Sequence, residues 1–297
     1  MIERGKSVIV RKAIIHTLFV IFSFLCIVPF IIILSISLSS GSDIYQYGYR
    51  LIPKSVDFTA YRYIFANGRQ IVNSYSISIF VTVVGTIASV LIMSLSSYAL
   101  ARKNFKYKRI ISFYIFFTML FSGGLVPTYI LITQYLKLTD TIWVLIIPGL
   151  VNAYHIVMLR TFFQQTPDSL FESAKLDGAS EFTILFRIAM PLAKPALATV
   201  AFLGTMGRWN DWFTALLYIR QDKLLPLQYL LYRIMAQIQF LLENLDKMPD
   251  GIGAAVDLPT ENARMAMCIV AAGPMLMIFP FFQKYFVKGL TVGSIKG

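Results

Sequence analysis

Residues 71–101 read IVNSYSISIFVTVVGTIASVLIMSLSSYALA and contain no Asp, Glu, Lys or Arg. At a rise of about 1.5 Å per residue, a helix of this length is longer than the roughly 30 Å hydrocarbon core of a bilayer. Helix is the expected conformation, because a segment surrounded by lipid must satisfy its own backbone hydrogen-bonding groups. The stretch therefore predicts a membrane-spanning helix in an all-α integral membrane protein.

The rest of the chain has the same apolar character. Hydrophobic residues make up 57% of the sequence and charged residues 14%, whereas an average soluble protein carries about a quarter charged residues. The mean hydropathy of +0.67 agrees with this. Five further apolar segments are long enough to span a membrane: 13–38, 110–136, 141–159, 195–219 and 265–283. Together with 71–101 they predict six transmembrane helices.

The basic residues predict how these helices are oriented. With both termini cytoplasmic (N-in/C-in), 16 of the 27 Lys and Arg residues lie inside, 10 lie outside and Arg208 lies within the fifth span. The inner loop 102–109 is especially basic, and short loops determine topology most strongly. Topology therefore explains the net charge of +12. Nucleic-acid binding is not indicated, because it requires basic residues on one solvated face, whereas contact with anionic membrane lipid is compatible with this pattern.

Three segments leave alternatives open. The first apolar run follows basic residues, as a signal peptide does, but it is longer than the usual ~7–15 apolar residues and has no small-residue cleavage site, so we expect a retained anchor. In the third span, SGG at 122–124 with Pro127 predicts a kink or a hinge. Residues 224–245 could be a seventh span. An amphipathic helix within an external loop 220–264 agrees better with the charge rule.

The inner loop 160–194 has a pattern of its own. Thr166 followed by Pro167 is typical of a helix start, and Gly178 permits a tight turn. After this glycine, apolar residues at helical spacing predict one face of a second helix: Phe182, Leu185, Phe186 and Ala189. Pro191 and Pro195 end that helix. The loop predicts a helix–turn–helix on the inner membrane surface, and on periodicity alone an amphipathic helix resting on lipid explains it equally well.

A spaced motif lies within this loop. ESA at 172–174, G at 178 and IAMP at 188–191 resemble the EAA loop of binding-protein-dependent ABC importer permeases, whose pattern is EAA, three residues, G, nine residues and I-x-L-P. Ser173 replaces Ala and Met190 replaces Leu. The runs DGA at 177–179, WND at 209–211 and KGLT at 288–291 resemble the carbohydrate-uptake, maltose-permease-like branch. The resemblance covers nearly the whole chain and is firmest from residue 69 onward.

This resemblance implies a MetI-like permease fold and a single transmembrane permease domain over 1–297, with a family core at 69–283. In that family the EAA helices are coupling helices that dock into a cleft on a cytoplasmic ATPase, so that ATPase closure drives alternating access. The implied ATPase-coupling residues are Glu172, Ala174, Asp177, Gly178, Phe182, Leu185, Phe186 and Pro191. The implied partners are an ABC ATPase dimer, a second and different permease subunit, and an extracytoplasmic solute-binding protein.

The fifth predicted span contains the charged residues of the membrane region. An ionisable residue within a membrane is a functional-site hypothesis by default. Indole rings cover the apolar faces of sugars, while amide and charged groups hydrogen-bond to hydroxyls. The candidate substrate-pathway residues are therefore Arg208, Trp209, Asn210, Asp211 and Trp212. The alternative is a structural i, i+3 ion pair between Arg208 and Asp211 beside packed tryptophans.

These features predict the permease subunit of an ATP-driven sugar importer, most specifically for oligosaccharides, in the bacterial cytoplasmic membrane. The sequence has no G-x-x-x-x-G-K-[ST] phosphate-binding loop, and GIG at 251–253 lacks a strand-to-helix context. We therefore expect a non-catalytic chain. We expect no cofactor and no metal, because the two cysteines and two histidines lack ligand neighbours at suitable spacing. A permease for a non-sugar solute and an ion-coupled carrier acting through Asp211 are the alternatives.

The predicted orientation determines which introduced cysteines an impermeant thiol reagent reaches in intact cells. In a background with Cys26 and Cys268 replaced by Ser, a cysteine at Lys54 should be labelled from outside. A cysteine at Lys296 should be labelled only after the membrane is permeabilised. Labelling at Lys296 in intact cells would contradict six spans and support seven.

Overall fold

The computed structural model describes residues 6–66, 68–244 and 261–293, and regular secondary structure within these ranges is entirely helical. The α-helices are α1 (Lys6–Ser37), α2 (Gly41–Tyr47), α3 (Thr59–Phe65), α4 (Gly68–Ala101), α5 (Lys108–Leu120), α6 (Leu125–Ile130), α7 (Ala153–Gln164), α8 (Asp168–Leu176), α9 (Glu181–Ile184), α10 (Met190–Leu192), α11 (Lys194–Trp209), α12 (Phe213–Tyr218), α13 (Leu227–Glu243) and α14 (Glu261–Gly293). Leu131–Tyr135 and Leu185–Ala189 are π-helices, and Ile142–Leu145 and Asp222–Leu224 are 3-10 helices. The predicted all-α class is confirmed.

The chain forms two compact units, one of Met1–Gly68 with Ile234–Gly273 and one of Arg69–Arg233 with Pro274–Gly297. In the first unit, the backbone N–H of Asp57 donates to the carbonyl of Leu38 at 2.8 Å, which holds the loop after α2 against the end of α1. The second unit contains every candidate site residue that the sequence predicts.

Within the part of the chain that the structure describes, three helices are long and apolar enough to cross a membrane: Arg11–Ser37 within α1, Gly68–Ala101 and Glu261–Tyr285 within α14. They correspond to the first, second and sixth predicted spans. Only 11% of the apolar window of α1 is buried. A helix that is apolar and exposed all round requires lipid or another chain around it.

Two bent helix pairs also have the length and composition of spans. Lys108–Leu120 and Leu125–Tyr135 meet at 115°, and Glu181–Leu192 and Lys194–Trp209 meet at 83°. Counting each pair as one span gives five among the described residues. The break in the first pair falls at the predicted SGG kink, where Gly124 has a φ of 83°.

The fourth predicted span does not form one continuous helix. The 3-10 helix Ile142–Leu145 is followed by a non-helical stretch before α7 begins at Ala153. Pro148 accounts for the interruption, because it has no backbone N–H and disfavours helical geometry at the residue before it.

One face of α4 carries buried hydroxyl side chains at intervals of three to five positions: Ser74, Ser78, Thr82, Thr86, Ser89, Ser94 and Ser97. Small residues let helices approach closely in a membrane. The hydroxyls also serve broken segments nearby. Ser78 accepts the backbone N–H of Leu227 at 2.7 Å, and Ser89 donates to the carbonyl of Leu150 at 2.6 Å. The α4 hydroxyl face therefore forms hydrogen bonds with backbone N–H and carbonyl groups that have no helical partner where a helix begins or is interrupted.

Arg208 joins three segments of the second unit. Its Nη2 donates to Ser89 Oγ on α4 and to the carbonyl of Gly149, both at 2.6 Å. Its Nη1 donates to the carbonyl of Gly204 on its own helix at 3.2 Å. We call this arrangement of Arg208, Ser89, Gly149 and Gly204 the Arg208 clip. Within the described ranges, its guanidinium pairs with no carboxylate.

The predicted ion pair between Arg208 and Asp211 is therefore wrong. The i, i+3 spacing places two side chains together only while the helix continues, and α11 ends at Trp209. Asp211 instead accepts the backbone N–H of Thr214 at 3.0 Å, at the start of α12. Its carboxylate satisfies one of the free N–H groups of the first helical turn.

The segment 224–245 contains the predicted amphipathic helix as α13, which is not among the apolar spans. Part of the predicted external loop, 245–260, lies outside the described residues, and so do the GIG run at 251–253 and the tail at 294–297.

Gly85 on α4 lies directly against the Arg208 side chain. A Cβ at this position would lie 2.5 Å from Arg208 Nε and 2.7 Å from its Cδ. Since the guanidinium is held by the Arg208 clip, Gly85→Ala should destabilise the protein by about 1–3 kcal/mol. Thermal unfolding in detergent measures this.

Gly207→Ala on α11 is the matched control, because its added Cβ would meet nothing within 4 Å. It should leave the unfolding temperature unchanged or raise it slightly, because alanine favours helix. Equal unfolding temperatures for the two variants would show that the Arg208 side chain moves away from the added Cβ without loss of stability.

Candidate coupling site

The first arm of the predicted helix–turn–helix is α8. Pro167 precedes it with φ −56° and ψ 132°, and no side chain caps the helix. The predicted Thr166 cap is wrong, because the backbone N–H of Thr166 bonds to Phe163 and the residue belongs to the end of the preceding segment. Asp168 in the first turn pairs with Lys103, and the hydrogen bond from Lys103 lowers the pKa of the Asp168 carboxyl.

The turn between the two arms depends on Gly178. Its φ is +80°, a conformation that glycine adopts without the steric cost of a side chain. The N–H of Gly178 donates to Lys175 at 3.0 Å and that of Ala179 to Ala174 at 2.9 Å, which completes the carbonyl end of α8. Ser180 then caps α9 by accepting the N–H of Thr183. The predicted tight turn at Gly178 is confirmed.

The second arm runs from α9 through the π-helix Leu185–Ala189 to α10, and meets α11 at the 83° bend. The predicted apolar face divides in two. Leu185 and Ala189 are buried, whereas Phe182 and Phe186 are 67% and 47% exposed. A π-helix has a wider turn than an α-helix, so residues spaced for one α-helical face no longer share it.

The helix–turn–helix exposes both apolar and charged side chains. Leu176 at the end of α8 is 90% exposed, and Phe182 and Phe186 of the second arm are exposed as well. Glu172 and Asp177 are exposed on the same motif. Large exposed apolar side chains together with exposed charged residues are typical of a protein docking surface. Leu176 was missed from the sequence, although its position two residues before Gly178 was a usable signal.

The inner side of the helix–turn–helix belongs to the core of the second unit. Phe171, Ile184 and Leu185 are buried in a cluster with α4 and α7 residues, and Ala174 packs against its edge. Burying these side chains fixes the motif to the spanning helices rather than leaving it loose on the surface.

A cleft of about 490 Å³ lies between the end of α4 and the two arms. Its wall is both apolar and charged, with the following lining residues: Leu95, Tyr98, Ala99, Arg102, Lys103, Asn104, Phe105, Asp168, Glu172, Lys175, Glu181, Phe182 and Leu185. Tyr98 and Glu181, which are hydrogen-bonded here, are 83 positions apart in the chain. No local spacing in the sequence reveals that pair.

The substrate-pathway candidates do not form one cluster of solute-facing side chains. Trp209 is only 3% exposed and its ring lies 6.3 Å from that of Tyr75. Trp212 is 36% exposed and stacks on Tyr232 with ring centroids 4.5 Å apart. Asn210 is exposed at the break between α11 and α12.

The family model of the binding-protein-dependent transport system inner membrane component matches residues 8–292. The chain belongs to this family. The MetI-like fold is confirmed, and so is the prediction of a multi-pass permease subunit in the bacterial cytoplasmic membrane. ATP hydrolysis in these systems belongs to a separate ATPase, and a solute-binding protein delivers the cargo.

Similar proteins serve carbohydrate transport systems. The polygalacturonan/rhamnogalacturonan transport system permease protein YtcP of Bacillus subtilis (strain 168) is 37% identical over 283 residues, which cover 95% of this chain and 97% of that protein. The galactooligosaccharides transport system permease protein GanQ of the same strain is 30% identical over 259 residues, which cover 83% of each.

A similar solved structure is the crystal structure of a bacterial ABC transporter involved in the import of the acidic polysaccharide alginate. One of its chains superposes with a TM-score of 0.79 at 30% identity, covering 96% of this chain and 100% of that chain. Membership of this permease family, in which similar proteins serve sugar transport systems, explains the resemblance of the inner loop to the EAA loop.

Substitutions at Gly178 should separate backbone strain from lost contacts. A side chain there meets nothing within 4 Å, but it must adopt a positive φ. A β-branched residue is strained by about 1–3 kcal/mol in such a conformation, whereas Asn tolerates it. Gly178→Val should therefore reduce both co-purification with the ATPase and transport, and Gly178→Asn should remain close to wild type. The reverse order would mean that the positive φ is not what the site requires.

Proposed function

We propose that this chain is the permease subunit of an ATP-driven, binding-protein-dependent importer of oligosaccharides. The observation that carries the mechanism is the helix–turn–helix, with its inner side packed into the core and with large apolar side chains exposed. The cargo follows from similarity to permeases named for polygalacturonan, rhamnogalacturonan and galactooligosaccharides, and to a transporter of alginate. Polygalacturonan, rhamnogalacturonan and alginate all contain uronic acids, so uronic-acid oligosaccharides are the first solutes to test.

The predicted coupling residues take two roles in this proposal. Glu172, Asp177, Phe182 and Phe186 are exposed and contact the ATPase. The other predicted coupling residues position those side chains: Ala174, Gly178, Leu185 and Pro191. Closure of the ATPase then pushes on a motif that cannot move without the spanning helices behind it.

We further propose the six-span, N-in/C-in topology, with 1–297 acting as one permease domain. The five candidate spans become six if the 3-10 helix Ile142–Leu145, the non-helical stretch and α7 cross the membrane as a broken helix. Breaks at membrane depth are tolerated where protein satisfies the backbone, and Ser89 and Arg208 do so at Leu150 and Gly149.

The proposed importer contains a second, different permease subunit. An ATPase dimer presents two docking clefts, whereas the described part of this chain contains one helix–turn–helix of the coupling type. The carbohydrate branch of the family usually fills the second cleft with a different chain. Association of this permease with a second EAA-bearing subunit in a complex of defined mass would support this pairing.

The proposed solute pathway passes the break between α11 and α12. Asn210, Asp211 and Trp212 lie at this break, and Trp212 stacks with Tyr232 of α13. Trp209 and Arg208 support the site from behind, since the indole is buried and the guanidinium is held by the Arg208 clip. A solute ring stacks on exposed indole surface rather than on a buried one.

The function is tested with the complete importer in proteoliposomes, loaded inside with ATP and supplied outside with the binding protein. Uptake of labelled oligogalacturonides or neutral oligosaccharides should require ATP and all subunits. Glu172→Lys should leave the permease inserted and abolish uptake. Uptake that needs a proton or sodium gradient but no ATPase would instead indicate a secondary carrier.

Trp212→Ala should weaken transport by about 1.5–3 kcal/mol in kcat/KM, the order expected for losing the burial of one large apolar side chain against the solute. The loss should differ among sugars, while folding and basal ATP hydrolysis stay near wild type. Trp143→Ala is the matched control, because Trp143 is 51% exposed and lies outside the proposed pathway. Equal transport by the two variants across several sugars would remove Trp212 from the pathway.

A further inference from the structure

A single carboxylate fastens the second arm to α4 and α8. Glu181 is the first residue of α9. The hydroxyl of Tyr98 donates to its Oε2 at 2.6 Å, and Lys175 Nζ lies 2.6 Å from its Oε1. Arg102 Nε lies 3.8 Å from Oε2. Hydrogen bonds to an ionised acceptor are shorter and stronger than neutral ones, so this joint is a firm contact between α4 and the coupling helices.

The ring of Tyr98 is held independently of its hydroxyl. Tyr98 is 6% exposed, and its ring meets Phe163 and Phe171 edge to face at 6.0 and 6.2 Å. The guanidinium of Arg102 lies 4.5 Å from the centre of the Phe171 ring. Removing the hydroxyl alone therefore leaves the aromatic packing in place and breaks only the link to Glu181.

The same helix reaches the Arg208 clip. α4 is continuous over 34 residues, and Ser89 lies about 14 Å from Tyr98 along the axis at ~1.5 Å per residue. A rigid helix carries displacement along its length. Movement of Glu181 is thereby passed to Ser89, and from Ser89 to Arg208 on α11.

The second arm also continues directly into α11 through the 83° bend. The link from Glu181 to Tyr98 adds a directional polar contact to the apolar packing of the second arm against α4. With the link, α4 and α11 are driven from the same arm and the Arg208 clip stays closed.

We propose that the hydrogen bond between Tyr98 and Glu181 is the joint through which the coupling helices move α4, so that Tyr98, Glu181 and Arg102 are positioning residues for transport. These residues contact neither ATP nor solute in this mechanism. The inference rests on the proposed importer function and adds the element that links ATPase closure to α4.

The test uses the complete importer with wild-type, Tyr98→Phe and Glu181→Gln permeases. Assembly and basal ATP hydrolysis should stay near wild type, because the ring packing and side-chain sizes are kept, and the unfolding temperature should fall only by the loss of one hydrogen bond to a charged group. The amount of solute imported per ATP should fall by about tenfold, the change expected when a hydrogen bond to a charged group is lost from one of two conformations. Tyr107→Phe removes the hydroxyl of a tyrosine that is 53% exposed, and should change nothing.

A double-mutant cycle identifies the link itself. If Tyr98 and Glu181 act through each other, adding Tyr98→Phe to Glu181→Gln should cause little loss beyond that of Glu181→Gln alone. Additive losses of solute imported per ATP in the double variant would contradict the proposed joint between Tyr98 and Glu181. Solute imported per ATP at the wild-type value in both single variants would also overturn it, as would a loss fully explained by lower assembly.

Different results would contradict the importer function and the joint between Tyr98 and Glu181. If the wild-type complex imports no oligosaccharide, the importer function and this inference are both overturned. If the wild type imports and Tyr98→Phe couples normally, only the joint is overturned. Tyr98→Phe decides the matter even if Glu181→Gln fails to assemble, because it preserves the aromatic core.

Discussion

Lipid offers no partner to a backbone N–H or carbonyl, and this constraint shapes the second unit. A continuous helix satisfies the constraint by itself, but this chain interrupts its helices near Gly149 and before α13. The hydroxyl face of α4 and the guanidinium of Arg208 supply the missing partners at Leu150, Gly149 and Leu227. α4 is therefore a spanning helix whose side chains also form hydrogen bonds with irregular backbone nearby, which makes that backbone tolerable in a membrane.

The regular part of this architecture could be predicted from the sequence. Length and absence of charge define α1, α4 and most of α14 without reference to any other segment. The interruptions are different, because Pro148 and the SGG run locate a break but do not determine its angle. The angle depends on partners from distant positions, such as Ser89 for Leu150. The hydroxyl spacing on α4 was nevertheless readable as one helical face, and could have predicted a polar interface.

The conformation of the coupling loop could be predicted where it depends only on residues that are neighbours in the sequence. The positive φ at Gly178 follows from the motif, since glycine adopts that conformation most readily. The shared face of Phe182 and Leu185 does not, because the π-helix changes the angular spacing of the side chains. Similarly, the ion pair of Arg208 with Asp211 assumed a helix that in fact ends at Trp209. In both places the error came from assuming an α-helical period beyond the segment that has it.

One N–H group of Arg208 does not take part in the Arg208 clip. The Nε–H of Arg208 is buried and has no acceptor among the described residues, and an unsatisfied buried donor costs about 1–3 kcal/mol. The absence of a side chain at Gly85 lets the guanidinium approach α4 closely, but glycine has no side-chain acceptor for this N–H. A conformation that brought an acceptor to Nε would not carry this cost. In the proposed importer, which alternates between inward-open and outward-open states, such an unsatisfied donor offsets part of the stability of the state described.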